Sequence, residues 1–261
     1  MNSSDHDKEP KPDYSGEFGP EMSGQVNYQR GREPVFNLPS VIIWFGALLV
    51  VVHLVREFLL QPDQDLWTLF AFAFIPARYS EIASQLPISL AAWWSPVTYS
   101  FLHGGWAHLL MNLFWMAAFG TPLARRFGAT RFLLLSVIAS LGGVLLHLAS
   151  HFGDMVPVIG ASAIVSGHMG ASARFAFQGR PGAMITADGP ALTLAQSFTN
   201  RIFLTFMGVW MAINLLFGSG AIPIAGADQP IAWQAHIGGF LAGLLFFSIF
   251  DPIKPQSRFQ I

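Results

Sequence analysis

The stretch Pro157-Val-Ile-Gly-Ala-Ser-Ala-Ile-Val-Ser-Gly-His-Met-Gly170 carries no charge, and none follows until Arg174. A short polar connection, 150–154, lies ahead of it and Pro157 stops whatever structure comes before. The spacing predicts a buried helix over 160–177 with Ser162 at its start, on the order of 10 Å below a membrane surface. A lone membrane serine usually bonds back to a carbonyl one turn up its own helix. A nucleophile at this depth instead requires a base, an oxyanion site and a route for water beside it.

Composition sets the solvent. Apolar residues make up 52% of the 261, charged residues only 11%, and phenylalanine alone contributes 24, which is the balance of a polytopic membrane protein. With no cysteine, disulfides, thiolate metal sites and cysteine nucleophiles are excluded. A net charge of -1 says little about partners, because the distribution of charge across loops matters more than its sum; no nucleic-acid partner is expected.

Residues 1–37 are polar and lack apolar periodicity, the composition of a disordered tail. The first span is expected at 38–60 and stays as a membrane helix, because the basic-then-apolar form of a cleaved signal is missing ahead of it. The apolar stretch 61–105 is interrupted by Pro62, Pro76, Pro87 and Pro96, so it is expected along the interface, with Trp67, Trp93 and Trp94 at headgroup level. Further spans are predicted at 106–119, ending before Pro122, and at 132–148, 160–177, 202–217 and 233–250, with loops at 178–200 and 218–230. The expected fold is therefore all-α, with six transmembrane helices in a membrane domain over 38–252 and a short tail over 253–261.

With six spans, the two tails share a side with the loops after spans two and four. That side holds 12 of the 14 Lys and Arg residues, leaving only Arg56 and Arg78 opposite. Both termini are expected in the cytoplasm. In this topology His103, His108 and Asn112 of span two, Ser162 of span four and His236 of span six arrive at one depth near the outer surface. Polar groups inside a membrane need partners or a function, so their coincidence carries weight.

Helix phase adds to it. Ala163, Gly167 and Gly170 form a small-residue flank beside Ser162, and Gly239 and Gly243 follow His236 close to its face. Small residues let helix backbones approach, which would bring the imidazole within reach of the hydroxyl.

The motifs His103-Gly-Gly-Trp-Ala-His108-Leu-Leu-Met-Asn112, Gly160-Ala161-Ser162 and Ala235-His236 with Gly239 and Gly243 resemble those of rhomboid intramembrane serine proteases, in the family's order on its second, fourth and sixth helices. The resemblance runs over roughly 38–252 and implies a rhomboid-like bundle. It implies Ser162 as nucleophile and His236 as general base, without a carboxylate. His108, Asn112 and the backbone N–H of Ser162 would hold the oxyanion, His103 would support the site and Gly160 would let the chain turn ahead of the serine. No metal or other cofactor is implied.

Two positions depart from the family's pattern. Ala163 stands where glycine usually follows the serine, and its methyl is expected on the flank facing span six, widening the gap to His236; Ser166 replaces a larger, often aromatic residue. The implied substrate is a transmembrane helix of another protein, cut near its outer end and helped by Gly or Pro there. Spans two and five would border its access route and the loop 218–230 would act as a cap. The surrounding lipid bilayer is the other partner, the compact form suggests a bacterial inner membrane, and the oligomeric state stays open. The alternatives are a catalytically weak or inactive rhomboid-like protein that binds membrane helices, and a histidine-based metal enzyme or transporter, which chelation would reveal.

Overall fold

The computed structural model describes residues 37–177, 187–219 and 232–253. All but the last residue of the tail expected over 1–37, most of the expected cap 218–230 and most of the closing tail 253–261 fall outside these residues. Among the described residues the chain is all-helical, with one isolated antiparallel bridge and no strand.

Helix α1 (Ser40–Phe58) buries Ile42, Phe45, Leu49 and His53, one stripe at three- and four-residue spacing, and turns Ile43, Trp44 and Val51 outward. The broken stretch that follows forms α2 (Pro62–Phe72), two 3₁₀ turns (Pro76–Tyr79 and Ala83–Gln85), α3 (Ala91–Thr98) and a third 3₁₀ turn, Tyr99–Phe101. Side chains tie these pieces to one another's carbonyls: the indole of Trp94 donates to Ala71 O at 2.7 Å, Tyr79 Oη to Ala92 O at 2.6 Å and Thr98 Oγ1 to Phe72 O at 2.9 Å. Trp67 and Trp93 point outward, whereas Trp94 is drawn toward the protein by its bond.

The segment expected to end before Pro122 continues instead. Helix α4 (Trp106–Trp115) passes into a π-helical turn, Met116–Gly120, and then directly into α5, Thr121–Ser150. Pro122 is accommodated because the wider π-helical turn immediately before it already interrupts the α-helical bond that its missing N–H would have made. The break comes later, at Gly128, whose φ of 73° and ψ of 168° are non-helical and lie where glycine carries no Cβ penalty. Helix α6 (Ser162–Ala176), the short α7 (Leu194–Ser197), α8 (Arg201–Gly218) and α9 (Trp233–Phe250) complete the described chain.

Among the described residues, four helical runs are long and apolar enough to cross a membrane: Ser40–Phe58, Trp106–Ser150, Arg201–Gly218 and Trp233–Phe250. The expected six are therefore not all distinguished on this measure. The 45-residue run holds two expected spans parted by the break at Gly128, and α6 has only 15 residues, about 22 Å of helix.

The centre of the bundle is α5, α6 and α9, packed backbone to backbone. A Cβ on Gly239 would strike the carbonyl of Ala163, one on Gly243 the carbonyl of Gly167, and one on Gly170 the carbonyl of Phe240. On the other side of α9, a Cβ on Gly142 of α5 would lie 2.6 Å from Ala242 Cβ and 2.9 Å from Gly238 O. At the end of α6 away from Ser162, Arg126 is fully buried in a two-pronged ion pair with Asp251 (2.8 and 2.9 Å) over the rings of Phe175 and Phe247. Arg174 donates there to Leu192 O at 2.7 Å and Leu244 O at 2.9 Å. These bonds clamp α5, α6 and α9 at one end, leaving the other end for the polar residues.

Candidate functional site

The chain enters α6 through a backbone harness. Phe74 and Val158 exchange N–H···O bonds of 3.1 and 2.8 Å, Ala77 N–H reaches Asp154 O at 2.9 Å, and Gly160 N–H reaches Tyr99 O at 3.0 Å. The interfacial segments thus fix the residues just ahead of Ser162. Gly160 has φ of 116°, and a Cβ there would sit 2.6 Å from both Cε1 and Nε2 of His108. The position needs glycine twice over, for its left-handed backbone and for the imidazole lying against it.

Ser162 opens α6 and is partly exposed, while 13 of the helix's 15 residues, Ala163 to Phe175, are buried. No side chain caps α6 among the described residues, so its first-turn N–H groups, that of Ser162 included, point out of the helix without an intrahelical acceptor. Such an end favours negative charge. His103 is buried and accepts a long bond (3.5 Å) from Ala161 N–H at Nε2; its ring lies 5.0 Å from that of His108, and its carbonyl accepts from Arg56 at 3.0 Å. Arg56 is itself paired with Asp65 at 2.7 Å, so the loop carrying His103 is tied to α1 and α2.

Asn112 is buried one turn below His108, and its Nδ2 donates to His108 O at 2.9 Å. One of its two amide hydrogens is thereby engaged and the other remains as a donor. His236 stands in the first turn of α9, partly exposed, with Nδ1 2.7 Å from Oδ1 of Asn214 on α8. Its helix meets α6 one turn further in, where Gly239 abuts Ala163. His108, Ser162 and His236 are the three members that reach the surface of this end of the bundle; His103 and Asn112 lie behind them.

The Ala163 methyl lies in a notch of α5, where a Cβ on Gly143 would come within 2.5 Å of it and 2.9 Å of Ala235 O on α9, and it shares a buried cluster with Ala235. The backbone of Ala163 meets Gly239. Ser166 is buried in α6. His168 is fully buried, its Nε2 2.8 Å from Ser136 Oγ, which in turn donates to Phe132 O; it ties α6 to α5 and lies outside the site.

The sequence reading passed over two contributors. Asn214 was one, although an amide inside the apolar run 202–217 was a visible signal. Ala139, Gly142 and Gly143 of α5 were the other, since helix phase on α6 and α9 alone does not name a third partner.

The family profile described as "Rhomboid domain" matches residues 90–251, more than half of the chain. The chain belongs to the rhomboid family. Among curated relatives, this rhomboid protein is similar to "Rhomboid protease GluP" of Bacillus subtilis (strain 168), 29% identical over 202 residues, 76% of this chain and 33% of that one. It is also similar to "RHOMBOID-like protein 4" of Arabidopsis thaliana, 30% identical over 152 residues, 58% of this chain and 32% of that one. A third is "RHOMBOID-like protein 6, mitochondrial" of the same plant, 30% identical over 170 residues, 64% and 46% of the two chains. The matched region thus spans a third to under a half of these relatives' length. Apolar helices and family membership together make the chain an integral membrane protein.

Proposed function

We propose that this rhomboid protein is an intramembrane serine endopeptidase that cleaves transmembrane helices of other membrane proteins with a Ser162/His236 dyad. The observation that carries this reading is the packing of the His108 imidazole on Gly160, two residues ahead of Ser162, at the uncapped start of α6. It supports a site in which donors and the Ser162 hydroxyl act together, with His236 on the neighbouring helix. In the reaction His236 takes the Ser162 proton as Oγ attacks the scissile carbonyl, then returns it to the leaving amine. His108, Asn112 and the Ser162 N–H hold the negative oxygen, and His103 supports the start of α6. Water, deprotonated by His236, next attacks the acyl ester and the proton goes back to Ser162.

This reading takes 38–252 as one membrane domain with six crossings, counting 106–127 and 129–150 separately and α6 as an interior span. Residues 1–37 and 253–261 are then tails, both cytoplasmic by the distribution of Lys and Arg, and the compact form points to a bacterial inner membrane. Substrate approaches between spans two and five. Here α8 supports the assignment, since it buries only Phe203, Trp210 and Asn214 and is the most loosely packed helix around the site.

Cleavage of a single-span test protein by the purified wild type in detergent, beside Ser162→Ala and His236→Ala, tests the proposal. Cutting by wild type and silence of both variants is expected. Silence of the wild type over several substrates of differing Gly and Pro content would favour the second reading, a protein that binds membrane helices without cutting them. That alternative draws on the engagement of Asn112 with its own helix, which leaves one fewer donor for an oxyanion.

A further inference from the structure

The bond between His236 and Asn214 has a direction that the neighbouring atoms determine. Nδ2 of Asn214 donates to the carbonyl of Trp210 at 2.8 Å, one turn back on α8. That contact fixes which end of the amide faces α9: the nitrogen is turned to its own helix and Oδ1 meets His236 Nδ1 at 2.7 Å. An amide oxygen only accepts, so Nδ1 of the imidazole is the donor and carries the ring proton. A neutral imidazole has one ring proton, and with Nδ1 holding it the lone pair is on Nε2.

We propose that Asn214 is the positioning residue for the base: by accepting the Nδ1 proton it holds His236 in the tautomer whose Nε2 is free to take the Ser162 proton. It stands where serine hydrolases with three-membered sites place a carboxylate, but it is neutral and comes from α8, a helix outside the central trio. Asn214 is itself placed by Trp210, whose carbonyl holds the amide and whose ring stacks on Phe240 of α9 with centroids 4.5 Å apart. The orientation of the base therefore depends on α8 lying against α9. This inference rests on the assignment of His236 as base, although the tautomer can be measured without it.

Two measurements on the full-length protein in detergent micelles test the proposal. In the first, kcat and KM are followed over pH for wild type, Asn214→Leu and Asn214→Asp. Leu removes the acceptor at similar size, and kcat falls about 10- to 100-fold with KM within about twofold of wild type. Asp keeps the acceptor, so kcat at the optimum recovers to within about fivefold; its negative charge favours the imidazolium, so the acidic limb of the profile moves to higher pH. A merely structural Asn214 would instead make Leu and Asp fall together without moving that limb, and wild-type kinetics in Asn214→Leu would overturn the proposal outright. In the second, nitrogen NMR of histidine-labelled protein, with the His236 signals assigned by their loss in His236→Ala, reads the ring proton. It is expected on Nδ1 in wild type and shared between both nitrogens in Asn214→Leu; a proton on Nε2 of the wild type defeats the inference. If the wild type cuts nothing, the protease reading fails while this measurement still decides the role of Asn214.

Discussion

Helices α6 and α8 both border the candidate site, and they are built to opposite specifications. In α6, 13 of 15 residues are buried and carbonyls touch glycines of α9 directly; in α8, 18 residues long, only Phe203, Trp210 and Asn214 are buried. The helix bearing the nucleophile is held by main-chain contact with α9 and by alanine methyls against glycines of α5 and α6, so its position is set to within what atoms allow. The helix bearing Asn214 is held by side chains alone, through the ring contacts of Phe206 and Trp210, the buried Phe203 and the bond to His236, so it is the element that can yield. A site that must be precise and yet admit another helix divides those demands between different parts of the chain.

The sharpest way to break this contrast is to attack the clamp at the far end of the trio. Replacing Arg126 with Met leaves Asp251 buried and unpaired, and a loss of about 3–5 kcal/mol is expected, read as a collapse in the yield of folded protein after detergent extraction. Recovery of yield on adding Asp251→Leu to that variant would show that the stranded charge was responsible. Next comes Gly243→Val, whose side chain would occupy the space of the Gly167 carbonyl. Overpacking of this kind costs about 3 kcal/mol or more where backbones cannot part, and a fall of several degrees in the unfolding midpoint is expected; an unchanged midpoint would mean that α6 and α9 are looser than their contacts imply.

A smaller effect is expected from Ala163→Gly. It removes a buried methyl and adds a helix-interior glycine, together about 1–2 kcal/mol of stability. Because the methyl seats in the notch beside Gly143, cleavage under folded conditions should stay within about threefold of wild type. A large gain in rate would show that the methyl widens the gap between Ser162 and His236. The smallest effect belongs to α8: Val209→Ala and Ile213→Ala, on its outward face, should each move stability by less than about 0.5 kcal/mol. Losses comparable to Gly243→Val there would abolish the distinction between the two helices.

These differences also explain what the sequence could and could not convey. The small residues of α6 and α9 repeat at helical spacing, and repetition is visible in a string of letters. The polar residues at 103, 108, 112, 162 and 236 stand out because lipid tolerates few of them. Asn214 was equally conspicuous but had no repeating neighbours to give it a face, and its value lies in a bond across two helices. Arg126 and Arg174 read as loop charges that report orientation; their burial against Asp251, Leu192 and Leu244 depends on which helix ends meet, a property of tertiary packing alone. Pro122 read as a stop because an ordinary α-helix would end there, and a wider turn immediately before it changed that rule.

That wider turn makes residue count, separately from residue identity, a determinant of activity. Between Met116 and Gly120 the helix spends five residues where an α-helix spends four. The wide turn already absorbs one residue, so losing it would leave Trp106–Trp115 nearly in phase with α5, whereas a further inserted residue has nothing to absorb it and would swing that segment by about 100° around its own axis. His108 and Asn112 would leave the start of α6 together, with every side chain of the site chemically intact. In this stretch a one-residue insertion is therefore a lesion of a different kind from a substitution: it preserves the parts and misaligns them.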